Sequence, residues 1–175
     1  MRVSDLLATE NSNFAVANVD QIRFDPMFRE LCQKNTCGFY GACWACPPDA
    51  GTIEELMNRA KRYSHALVFQ SIHPLEDSFD IEGMHEASVR HNRLVQAVYR
   101  AAKVEHPGCL VLGAGACGVC ARCSKPDGEP CRFPEKAVVS LEACGIDVAQ
   151  LAKAAGLKYI NGTNTVTYFG AVLYD

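Results

Sequence analysis

Eight of the ten cysteines fall into two compact groups, and thiols at such intervals are suited to gripping metal. The first group is Cys32-x4-Cys37-x5-Cys43-x2-Cys46, followed at once by Pro47 and Pro48. The second is Cys117-x2-Cys120-x2-Cys123-x7-Cys131, with Pro134 three residues on. Two residues between successive cysteines let one loop wrap three corners of an iron-sulfur cube, the fourth thiolate coming from farther away. Cys131 suits that part. In bacterial ferredoxin runs the fourth cysteine serves the other cluster, so spacing alone does not fix how ligands divide between the groups. The expectation is two [4Fe-4S] clusters held by Cys32, Cys37, Cys43, Cys46, Cys117, Cys120, Cys123 and Cys131. The alternative is zinc, although structural zinc ordinarily takes paired CxxC units or CxxC with histidines.

Other constellations are weaker. Gly113-x-Gly115-x-x-Gly118 has the nominal dinucleotide spacing, but Pro126, Gly128 and Pro130 make the following stretch a loop, where the fingerprint needs a helix. These glycines are expected to give backbone room beside a cluster. His85 and His91 are six apart and do not share a helix face, and Glu86 does not complete HExxH. His91 falls on an apolar stripe and reads as a hydrogen-bonded core residue. Cys109 and Cys144 stand alone and read as packing residues. Tyr40 and Trp44 flank the first group, where their rings would exclude water and tune a cluster. Arg59, Lys61 and Arg62 form a small basic patch, a solvated helix face or a dock for an acidic redox partner. No Ser-His-Asp order, phosphate loop or carboxylate pair can be argued.

Composition bounds the function. With 175 residues, 49% of them apolar, the chain can bury a core, and one cysteine-rich metal-binding domain spanning 1–175 is expected. A net charge of −3 provides no general basic field for nucleic acid or an anionic membrane surface. No apolar run approaches the ~18 residues of a membrane span, and Met1 to Asp20 lacks a signal-peptide pattern, so a cytoplasmic protein is expected. Cytosolic thiols stay reduced, which favours metal or redox chemistry over disulfides. A redox partner protein is the expected associate. Oligomeric state is open.

The elements that would position the cysteines follow from periodicity and punctuation. Phe14 to Phe24 reads as a strand; Asp25 caps a short helix from Met27 to Leu31 that delivers Cys32. Thr52 and Glu55 have capping-box spacing before a helix from Ile53 to Tyr63. Ala66 to Ile72 and Cys109 to Leu112 read as buried strands around a long helix, Gly83 to Glu105, whose apolar face carries Met84, Ala87, His91, Leu94, Val98 and Ala101. Pro134 opens helical sequence, Asp147 caps another helix, and Thr165 to Tyr174 reads as a hairpin arm or closing strand. Alternating strands and helices predict an α/β class: one layered domain with a mostly parallel sheet and two cysteine-rich metal-binding loops at strand ends.

The stretch CQKNTCGFYGACWACPP, Cys32 to Pro48, together with CGVCARC, GEPCRFP, Glu142 and Gly145-Ile146-Asp147-Val148, resembles a prokaryotic family described as predicted metal-binding proteins, domain of unknown function 2284. The resemblance runs almost the whole length. It implies metal binding and leaves the reaction open. It also implies a required cysteine at Cys46 and no requirement at Cys43. Three thiolates would leave one iron free for water or substrate, whereas four would close the cluster for electron transfer. Three functions are therefore expected in competition: an electron carrier, a zinc-stabilised interaction module, and an enzyme using an open iron.

Overall fold

Local signals start most of the helices. The Thr52 hydroxyl accepts from the Glu55 backbone N–H (3.2 Å) while the Glu55 carboxylate accepts from the Thr52 N–H (2.8 Å), a complete capping box. Asp80 accepts from the Gly83 N–H (2.8 Å) and Asp147 from the Gln150 N–H (3.1 Å), starting two more. In the computed structural model, which describes residues 2–175, the chain runs α1 (Val3–Thr9), β1 (Asn13–Asn18), α2 (Phe28–Gln33), α3 (Ile53–Ala60), β2 (His65–Pro74), α4 (Ile81–Glu105), β3 (Leu110–Gly113), β4 (Val139–Ser140), α5 (Val148–Ala154), β5 (Thr165–Tyr174). Helix α1 was not foreseen, though Val3, Leu6 and Leu7 bury one side of it at i, i+3, i+4 spacing. The expected helix at Pro134 is a single 3-10 turn, Pro134–Lys136.

The sheet corrects the expected class. Its order is β1-β2-β5-β3-β4, and every pairing is antiparallel except β3 with β4. A mostly parallel sheet is therefore excluded. The apolar runs in β2 and β3 gave the wrong inference because such runs report burial on both faces, and both faces are covered here whatever the strand direction. The β2-α4-β3 unit does join two strands pointing the same way. However, β5 runs antiparallel between them and splits the unit.

Alternation along the strands separates two cores. On one face Phe69, Val111 and Val172 pack with α1 and α4 residues Leu7, Val95 and Val98; on the other Val68, Leu112, Ala171 and Leu173 pack with Leu56 of α3 and Leu151 of α5. Phe69 and Gly170 are direct cross-strand partners, and a Cβ at Gly170 would lie 2.3 Å from the Phe69 ring. Gly170→Ala is expected to cost about 1 to 3 kcal/mol by overpacking, read as a lower denaturant midpoint at unchanged m-value. An unshifted midpoint would mean that the ring moves aside freely.

Candidate metal centre

Both cysteine segments lie almost wholly outside regular structure and converge beside the β3–β4 end of the sheet. The first leaves α2, which carries Cys32, and turns through 34–52. The second leaves β3 and holds only the 3-10 turn Lys125–Asp127 before Pro134. Gly118 lets this loop press on α4, since a Cβ there would fall 2.6 Å from the Asn92 side chain. Gly113 likewise packs against Val95 and Val138, so these two glycines make room for helix and strand neighbours. No helix opens in the loop, in keeping with the rejected dinucleotide reading.

Cys43 belongs spatially to the other group. It is 1% exposed and, with Cys117, Cys120, Cys123 and Cys131, lines a single narrow cavity walled by Trp44, Ala45, Phe133 and Ala137. Cys46 is buried alongside Cys43, while Cys32 and Cys37 lie outside this cavity as the next charged neighbours of Cys46. Cys32 lies half-buried near Arg29 and Glu142, and its thiol is pushed up mainly by burial against the pull of Arg29. The structure thus lines one cavity with five thiols, sets Cys46 in contact with Cys43, and leaves Cys32 and Cys37 outside.

Electrostatics at the junction favour a thiolate on Cys43. The adjacent Cys46 thiol, more than any other group, holds Cys43 down to about 5, helped by the Ala45 and Cys117 N–H groups and opposed by burial. The same contact, with burial, pushes Cys46 far up, so the pair keeps one proton. Burial also raises Cys117, countered by the Val119 and Val138 N–H groups. Cys109 and Cys144 sit in the two apolar cores at 4% and 2% exposure, and burial pushes Cys144 up to about 12, as suits packing residues.

Trp44 ties the two loops together. Its indole Nε1 donates to the Glu129 carbonyl (3.0 Å), the Lys125 ammonium sits 4.1 Å from the ring centroid, and Lys125 also pairs with Asp49. It lines the cavity shared by Cys43 of the first group and the cysteines of the second. Tyr40 is half-buried and its backbone N–H donates to the Asn35 side chain (3.0 Å). Sequence reasoning gave no part to Arg29, whose guanidinium donates to the Gly51 carbonyl (2.9 Å) but whose Nε is buried without a partner. Its position three residues before Cys32 on α2 was the available signal.

The donor set fits a thiophilic metal: five sulfurs line the cavity and no carboxylate or imidazole does. The free space in it is about 20 Å³, the room of a single water. Among the described residues no three His, Cys, Asp or Glu side chains converge at the distances of one bound ion. No helix among them is long and apolar enough to cross a membrane.

The family model described as "Predicted metal-binding protein (DUF2284)" matches residues 15–174. The chain therefore belongs to that family, which defines it as a predicted metal-binding protein, and both cysteine groups lie within the match. No curated protein and no solved structure matches it.

Proposed function

We propose that the protein carries two iron-sulfur clusters and passes electrons to or from a partner protein. The observation that supports this reading is that five thiols, three at CxxCxxC spacing, line one cavity. Cys117, Cys120 and Cys123 would hold three corners of one cluster, with Cys131 and Cys43 both in place for the fourth. Cys32, Cys37 and Cys46 would hold the other, leaving it with three protein thiolates. A bound [4Fe-4S] cluster supplies one-electron chemistry. Trp44, Phe133 and Ala137 would keep water from it, and the Val119 and Val138 N–H groups lie near the sulfur of Cys117. The exposed Arg59, Lys61 and Arg62 offer complementary charge to an acidic redox partner. Neither nucleic acid nor a membrane surface belongs to this reading, which places the protein in the reducing cytoplasm.

A second reading has its own support. A free space of about 20 Å³ is the size of an ion, and a cube would require the 117–131 loop to move outward. That reading makes the protein a zinc-stabilised module. Iron, sulfide and zinc analysis of anaerobically purified protein separates the two. Roughly eight irons with matching sulfide per chain are expected, and roughly four would leave one group empty or shared. A colourless, sulfide-free zinc protein would overturn the proposal.

A further inference from the structure

The wall of the cysteine loop that faces away from Trp44 forms one side of a second, open groove. Cys43, Cys117, Cys120 and Cys123 line this groove as well as the narrow cavity, so a molecule in the groove lies against those thiols. The opposite side is a face of α4, with Ser88 and Asn92 half-buried and His85 and Arg93 exposed. The groove measures about 320 Å³, large enough for a small organic molecule.

Its chemistry is selective. No Asp or Glu lines it, in a chain with 20 acidic residues against 17 basic ones. Arg93 forms no ion pair among the described residues, whereas Arg90, on another part of the same helix, is paired with Glu86 at 3.0 Å. Ser88, Asn92 and His85 likewise spend no side-chain hydrogen bond within the described chain, leaving a hydroxyl, an amide and an imidazole beside one permanent cation. Phe39 and Val89 are the large apolar side chains of the wall, 45% and 38% exposed. One guanidinium with a planar fork, hydrogen-bonding groups beside it and an apolar wall match a monocarboxylate with a short apolar body.

We infer that this groove is a binding site for a small monocarboxylic acid, anchored by Arg93 and lying against the thiols of the second cysteine group. Ser88 and Asn92 hydrogen-bond the carboxylate, and Phe39 and Val89 cover the apolar part. The inference rests on the metal reading only for what lies behind the thiols; the carboxylate contacts stand on α4 alone.

Benzoate is the probe, with benzamide as its neutral counterpart. Isothermal titration of the metal-replete protein should give saturable one-site binding of benzoate and at least tenfold weaker binding of benzamide. Arg93→Gln should weaken benzoate at least tenfold and leave benzamide unchanged, because the lost contact is to the charge. Val89→Trp, which fills the groove one helical turn from Arg93, should weaken both ligands. Equal affinities for the two ligands, or a benzoate affinity indifferent to Arg93→Gln and Val89→Trp, would overturn the inference. Metal and sulfide are measured on the same samples. Arg93-dependent benzoate binding in a protein without sulfide would refute the cluster and keep the groove. A change in the cluster's absorption on adding benzoate, lost in Arg93→Gln, would support both.

Discussion

Alanine at Cys120 should remove about half of the bound iron, taking it from roughly eight atoms per chain to roughly four, with acid-labile sulfide falling in step. Cys120 lines both the thiol cavity and the α4 groove and is the middle thiol of the CxxCxxC run, whereas Cys43 and Cys131 compete for the fourth corner. The sheet should survive, because neither apolar core includes this cysteine. The companion variant Cys43→Ala tests the crossing of the first loop into the second site. If Cys43 serves the same cluster, the double variant Cys43→Ala/Cys120→Ala should lose no more iron than Cys120→Ala alone, since both changes act on one unit. Additive loss would assign Cys43 to the Cys32, Cys37 and Cys46 set instead. Iron unchanged in Cys120→Ala would remove that thiol from the ligands altogether.

Acid should destabilise the fold by about 3 kcal/mol through His91 alone. The ring is 1% exposed beneath α4, its Nε2–H donating to the Phe169 carbonyl (3.2 Å) and its Nδ1 accepting from the Ser71 hydroxyl (2.8 Å), which accepts in turn from His73 Nε2–H (3.0 Å). Phe69 and Tyr168 flank the imidazole. Burial holds its pKa down from 6.5 to about 4, so the unfolded chain takes up the proton first. The contribution is therefore fully present above pH 6.5 and is lost as pH falls toward 4. Denaturant unfolding at matched metal content should show a steeper decline between those values in the native protein than in His91→Gln, which has no proton to gain. Parallel curves would rule out His91 as the source.

Much of this was legible one element at a time. Thr52 and Asp147 cap where side-chain chemistry said they would, Asp25 accepts from the Met27 N–H just ahead of α2, and α4 begins two residues before the expected Gly83 and ends at the expected Glu105. His91 and Cys144 are buried where their isolation on apolar faces put them. Strand direction was not legible, because the same apolar residues suit either polarity once helices cover both faces. Of the two readings of Thr165 to Tyr174, the closing strand is the one formed, since β5 finds both of its partners at distant positions in the chain. In the site, spacing identified the cysteines that could act as ligands, but it carried no information about which loop each would face. Cys43 crosses to the second group although it is three residues from Cys46. Trp44 bonds a carbonyl 85 positions away. Such contacts are set by how two irregular loops fold over one another, and no local rule encodes them.

Placing the last strand in the centre of the sheet orders events at the ribosome. Until residues 165–174 emerge, β2 and β3 face each other across an empty slot, and neither apolar layer can seal. Both thiol loops are already synthesised by then, while the scaffold is still open. Nascent chains stalled before Thr165 would then be protease-sensitive throughout, and closure would come late and in one cooperative step governed by long-range pairing.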